Sequence, residues 1–253
     1  MTGSTHLSRL RSERTLSSHD QIVRVLGSEI LMGVHPPAAN MPPEPDLLNR
    51  FQVSRTVLRE VMKTLAAKGM VISKTRVGTR VLDPVNWNFF DAEVLSWKVA
   101  DGMDAEFRRH LVEIRRGVEP RAAALAAERA TDEDAEELRR CIAAMRVRGH
   151  TQRSFAEADL QFHLAVGGAS KNPLMRSMAA VIEAALLASF SLSSPLEVRE
   201  RQDEVTDAHE RIVDAIVAHD AAAAAAAMLK VIDLGNERTE TEERAAQRAP
   251  AEA

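Results

Sequence analysis

Residues 54–70 read SRTVLREVMKTLAAKGM and carry two different stripes. Val57, Leu58, Val61, Met62 and Leu65 recur at helical spacing and form a face that requires burial. Arg55, Arg59 and Lys63, each four residues from the last, form a second stripe of positive charge. Ser54 stands where a helix N-cap does, its hydroxyl able to accept a bond from an N–H two or three residues on.

Working outward, Ile22, Val23, Leu26, Ile30 and Leu31 predict a helix over 19–33, ended by Gly33 and by the Pro36-Pro37 pair. PEPDLLNRF, residues 43–51, reads as a short second helix, because prolines sit without penalty in a first turn. It must stop near Gln52, so the order is helix, turn, helix. Past Gly69 the pattern changes to two short extended runs, MVISK and TRVLD, joined by TRVG. A hairpin bearing Lys74, Arg76 and Arg80 at or near its tip is a wing.

A helix packed by one side on two others can present its opposite side and its N-terminus to a DNA major groove. On that reading Arg55 and Arg59 read bases, each worth about 1–3 kcal/mol of discrimination. Ser54, Thr56, Lys63 and the wing residues Lys74, Arg76 and Arg80 then hold the protein on the DNA backbone. The competing reading, a solvated face with ion pairs to residues such as Glu60, is worth little energetically and does not explain the accompanying cap, helices and basic hairpin.

Composition agrees with this division. The net charge of −4 conceals 12 Lys+Arg against 7 Asp+Glu in residues 1–85, and 21 against 30 in the remainder. The basic end suits nucleic acid and the acidic end is repelled by it. Cys141 is the single cysteine, which excludes an internal disulfide, and no apolar run is long enough to span a bilayer. A reducing cytoplasm is the expected setting. Residues 1–17, rich in Ser, Thr and Arg, read as a disordered arm.

From residue 19 to 84 the chain resembles the winged helix-turn-helix of the GntR family of bacterial transcription regulators. MPPEPDLLNRFQVSRTVLREVMKTLAAKGMV follows that family's Leu-Pro-x-Glu, Ser-Arg-x-x-x-Arg-Glu and Leu-x-x-x-Gly pattern. In many members an Arg that contacts DNA follows the first Glu, and here that place holds Pro45. The next segment, VNWNFFDAEVLSWKVADG, places both tryptophans between the two regions, with Asp91 as the cap of a junction helix. It is similar to a segment of the galactonate-operon repressors, a branch of the same family. On general grounds these aromatics form a small satellite core.

Beyond residue 104 only helices are signalled, over 106–129 with a bend at Pro120, 132–147, 154–167, 173–191, 196–218 and 221–238. The alanine run 221–227 reads as packed helix, alanine being the best helix former. Asp159 and His163, four apart, share one helix face and can grip one ion. His209 falls beside the apolar stripe of Val205, Ile212, Val213 and Ile216, an odd place for an unpaired imidazole. The commonplace alternative is an Asp paired with a His one turn later.

Residues 107–227 resemble the FCD ligand-binding domain of the FadR subfamily, through EIRRGVEPRAAALAAERA, DLQFHLAVGGASKNPLM and AHERIVDAIVAHDAAAA. The resemblance implies a divalent metal, zinc by preference, on Asp159, His163 and His209. The fourth ligand of that subfamily, a histidine, is Val231 here. It also implies that Arg115 faces a carboxylate effector, against the plainer reading of an ion pair with Glu119.

These readings give a mainly α protein: an arm (1–17), a winged helix-turn-helix (18–84), a junction helix (85–103), an all-α effector-binding bundle (104–240) and a frayed tail (241–253). The expected function is a homodimeric repressor of a sugar-acid, galactonate-like operon, released from operator DNA by a small carboxylate effector. A metalloenzyme acting on a small hydroxy-carboxylate is the second hypothesis; no general base stands by motif beside the three ligands, and such an enzyme has no use for a winged helix. A bundle that serves only dimerisation is the third.

Overall fold

The computed structural model describes residues 17–74, 78–192 and 199–248. The N-terminal arm up to residue 16, Arg76 at the wing tip, the expected helix start at residue 196 and the last five residues lie outside them. The chain divides into two compact units, with the break between Gly102 and Met103.

In the first unit α1 (Ser18–Leu31) is capped by Ser17, whose hydroxyl accepts from Asp20 N–H. It buries Ile22, Val23, Leu26, Gly27 and Ile30. Helix α2 (Glu44–Phe51) carries Pro45 in its first turn and ends at Gln52, which adopts φ +52°. Ser54 then caps α3 (Arg55–Ala67) by accepting from Val57 N–H at 3.3 Å. Leu58, Val61 and Leu65 on α3 are buried against α1.

Gly69, at φ +74°, turns the chain into β1 (Val71–Lys74), antiparallel to β2 (Gly78–Val81) with Val71 opposite Val81. The loop after α1 joins this hairpin's edge: Ala38 N–H donates to Val81 O, Val81 N–H to Ala39 O, and Met41 N–H to Thr79 O. The wing is therefore tied to the helical part by backbone bonds that no local pattern announces.

A short 3-10 turn (Pro84–Asn86) leads to α4 (Ala92–Ala100), capped by Asp91. The aromatics here are not a satellite cluster. Trp97 is 5% exposed and belongs to the same core as Leu26, Ile30 and Leu65. Gly27 makes room for it, since a Cβ there would lie 2.4 Å from the indole. Lys68, the C-cap of α3 and itself 7% exposed, bonds Asp91 at 2.8 and 2.9 Å and Glu93 at 2.7 Å.

Among its described residues the second unit has helices, the turns between them and no strand: α5 (Ala105–Arg129), α6 (Asp132–Arg146), α7 (Gln152–Ala169), α8 (Pro173–Ser177), α9 (Ala179–Leu192), α10 (Arg199–Val217) and α11 (Ala221–Arg248). Helix α5 continues through Pro120 without interruption. The single helix expected over 173–191 is broken at Met178. Ser177 Oγ donates to Pro173 O at 2.9 Å, competing for a helical carbonyl. Helix α11 runs ten residues beyond the Arg238 end read from the sequence.

Helices α5 and α11 pack extensively, and Ala122, Ala123, Ala126 and Ala127 on α5 are buried. Small residues permit such close approach. Phe155, Phe162, Leu138, Met145, Ile212 and Met228 fill the centre. No described helix is long and apolar enough to cross a membrane.

Candidate functional site

The first candidate site is the outward side of α3. Ser54, Arg55, Thr56, Arg59 and Lys63 are all exposed, while the opposite side of the helix is core. Arg55 Nε lies 3.5 Å from Glu44, and Lys63 donates to Glu60 at 2.8 Å, both in highly exposed pairs. Pairs of this kind contribute at most about 1 kcal/mol, so they leave both cations available. Arg59 has no hydrogen-bond or ion-pair partner among the described residues. Arg80 on β2 is exposed but engaged, its Nε donating to Ala38 O at 2.7 Å. Lys74 ends β1.

The second lies inside the helical unit. Asp159 and His163 project from one side of α7 and His209 from α10, and one ligand atom of each lies within 4.8 Å of the others. All three are buried, at 2–3% exposure. Phe162, fully buried, stands edge-on to both imidazoles at centroid distances of 5.8 and 5.0 Å, and the imidazoles lie 5.4 Å from each other.

His209 Nδ1 donates to Val205 O at 2.7 Å, which fixes a proton on Nδ1 and turns Nε2 toward Asp159. That Nε2 is 3.0 Å from Asp159 Oδ1. His163 Nδ1 is 2.5 Å from Glu119 Oε2, and its Nε2 is 3.8 Å from Asp159 Oδ2. Close as they are, the contacts of His209 Nε2 and His163 Nδ1 lack hydrogen-bond alignment, so both buried nitrogens have no hydrogen-bond partner. One carboxylate and two imidazoles brought this close together are a donor set for a divalent ion of borderline softness.

Arg115 and Glu119, one turn apart on α5, form the wall next to His163. Nε of Arg115 donates to Glu119 Oε1 at 2.5 Å and Nη2 to Oε2 at 3.4 Å, and Nη2 is also 3.4 Å from His163 Nε2. The pair is buried, not on the helix surface as the plainer sequence reading has it. Burial works against ionising Glu119, but the Arg115 charge and His163 outweigh it and hold the carboxyl at about 2. Asp159 is likewise held low: its desolvation is overcome by His209, His163 and Arg115.

Arg115, Asp159, His163 and His209 line a cavity of about 60 Å³, in which Val231 occupies part of the wall. That volume holds several waters, at about 10–15 Å³ each. Two cavity arginines escaped the sequence reading, Arg108 on α5 and Arg238 on α11, as did the hydroxyls of Ser189 and Thr239. Arg238 is seven residues after Val231, two helical turns along one face, and that spacing is the signal that could have found it.

Comparison with known proteins bears on both sites. Residues 18–81 match the model of the gntR family of bacterial regulatory proteins, and residues 110–234 match the FCD domain. The chain is 31% identical over 218 residues to the galactonate operon transcriptional repressor of Escherichia coli K12, covering 86% of this chain and 95% of that protein. It is 35% identical over 202 residues to the HTH-type transcriptional regulator YieP of the same organism, covering 79% and 85% respectively. Among solved structures, Lar, described as controlling expression of the Listeria monocytogenes agr system, aligns with a TM-score of 0.59 at 18% identity. That alignment spans 88% of this chain and 96% of the other, and it speaks to fold alone.

Proposed function

This chain belongs to the GntR family of bacterial regulatory proteins, its winged helix-turn-helix followed by an FCD domain, and from that premise we propose that it represses a sugar-acid catabolic operon. The family regulates transcription, so the chain is a DNA-binding regulator with a small-molecule domain and not an enzyme. Our reading adds the effector, a galactonate-like carboxylate, and its consequence, release of the operator.

One observation carries the effector reading: Asp159, His163 and His209 converge in the wall of a buried cavity, each offering a ligand atom within 4.8 Å of the others. Held there, a divalent ion, zinc by its affinity for imidazole and carboxylate together, supplies positive charge to the ligand's carboxylate and adjacent hydroxyl. Val231, at the place of the fourth histidine, leaves a coordination position for that ligand. Arg115, oriented by Glu119, stands beside it. The closeness to a galactonate operon repressor supports the sugar-acid class.

In the reading head Ser54 fixes the start of α3, Arg55 and Arg59 read bases, and Thr56, Lys63, Lys74, Arg76 and Arg80 hold phosphates. Two copies, acting in the cytoplasm as a homodimer, match an operator with two-fold symmetry. The ligand shifts the DNA-bound population only by its different affinity for the two arrangements of the dimer.

A mobility-shift titration tests this reading. Operator DNA bound by the full chain is released by galactonate in the presence of zinc, and a chelator restores binding. Retention of the DNA at millimolar galactonate, with zinc present, overturns the sugar-acid assignment.

A further inference from the structure

We propose that Glu119 is the positioning residue that orients His163 toward the metal, holding the ring's proton on Nδ1 so that the Nε2 lone pair serves the ion; the assignment rests on the metal reading above. An imidazole binds an ion through one nitrogen, and what the other nitrogen donates to decides which one that is. Both rings of this site face that choice in full burial, His163 at 1% and His209 at 3% side-chain exposure, where bulk water does not reach to make it.

The two histidines are set by different means. His209 donates Nδ1–H to Val205 O, one turn back on its own helix, so α10 alone fixes it. His163 receives its partner from another helix: its Nδ1 lies 2.5 Å from Glu119 Oε2 on α5. The other nitrogen of the ring agrees. Arg115 Nη2 can only donate, and it lies 3.4 Å from His163 Nε2, which makes Nε2 the acceptor and leaves the proton on the side of Glu119.

Glu119 is also more than a counter-ion for Arg115. Its two oxygens divide the work: Oε1 takes Arg115 Nε at 2.5 Å, whereas Oε2 is 2.5 Å from His163 Nδ1 and 3.4 Å from Arg115 Nη2. A carboxylate needed only to neutralise Arg115 would meet the guanidinium fork with both oxygens at equal reach. A carboxylate behind the imidazole of a metal ligand fixes the ring's tautomer and raises the basicity of the nitrogen that binds. Arg115, gripping the far oxygen, keeps that carboxylate where His163 needs it.

Zinc affinity, by competition with a chromophoric chelator, and the visible spectrum of the cobalt-loaded full chain test the assignment in wild type, Arg115→Met/Glu119→Leu and Arg115→Met/Glu119→Gln. Both variants lack the Arg115 charge, and they differ in whether His163 keeps an acceptor at Nδ1. The leucine variant is expected to lose zinc affinity about ten- to a hundredfold and to shift the cobalt bands, and the glutamine variant, whose amide oxygen still accepts, to recover most of both. Wild-type affinity in the leucine variant overturns the assignment, as does an equal loss in the two variants. A measurement on wild type decides the case if a variant fails to fold: nitrogen-15 histidine spectra of the metal-free chain, assigned with His163→Gln, should show His163 protonated at Nδ1 alone, and a proton on Nε2 overturns the assignment. If wild type binds neither zinc nor cobalt, the metal reading falls and takes the assignment with it, a failure seen before any variant is compared.

Discussion

Arg115 and Glu119 are paired inside the helical unit, a guanidinium and a carboxylate 8% and 4% exposed on adjacent turns of one helix. Removing one partner leaves the other charge buried alone, which costs about 3–5 kcal/mol. Glu119→Ala should therefore destabilise strongly, and the double variant Arg115→Met/Glu119→Leu should recover most of the loss. Urea unfolding of wild type and the two variants checks this, and a double variant as unstable as the single one contradicts it.

Arg59 is the exposed cation on α3 that has no partner to lose. Arg59→Ala should weaken binding to an operator selected with the wild-type protein by tenfold or more, from about 1–3 kcal/mol per bidentate base contact. Galactonate binding and melting temperature should stay at wild-type values. Unchanged operator affinity in a mobility-shift assay removes Arg59 from the reading face.

On the proposed metal reading, zinc that binds only the folded chain would raise its stability by mass action, about 2.7 kcal/mol at a hundred times the dissociation constant. Thermal melts with added zinc should rise, a chelator should reverse the rise, and Asp159→Asn with His209→Gln should abolish it. A shift that survives both substitutions places the ion elsewhere.

The approach of Gly27 to Trp97 sets a limit on α1. Gly27→Ala places a methyl 2.4 Å from the indole, where the ring must move within a packed core. The expected loss is about 1–3 kcal/mol. In combination with Trp97→Leu the Gly27→Ala loss should shrink, a coupling that denaturant unfolding of the four-member cycle measures.

Lys68 gives a pH signature. Burial disfavours its charge, but the bonds to Asp91 and Glu93 prevail and raise its pKa above the ordinary lysine value. A raised pKa means stability present below the unfolded value of about 10.4 and lost as pH rises through the folded one. Unfolding free energy of wild type should thus fall above pH 10.4 by a step that Lys68→Met lacks. At pH 7 Lys68→Met should cost about 1–2 kcal/mol.

Local signals made much of this architecture readable. Ser54 and Asp91 are caps whose hydrogen bonds reach only two or three residues, and the apolar stripe of α3 needs no knowledge of its neighbours. The Asp159–His163 pair is readable for the same reason, one helical turn being a sequence distance. The rest depends on long-range assembly. The wing's third edge comes from the loop after α1, Trp97 enters a core begun seventy residues earlier, and Arg238 joins the cavity of Asp159 only when α11 has packed on α5 and α10. The break at Met178 was hidden because an apolar run reads as one helix until a serine hydroxyl competes for its carbonyl.

The placement of Trp97 also decides where the reading head ends. A fragment cut after the wing strands, near residue 81, keeps every residue of α3 yet empties the slot over Gly27 and strips Lys68 of both counter-ions. Such a fragment would be judged a poor DNA binder for want of a core, with its recognition surface intact. The smallest piece that carries its own core closes at Gly102.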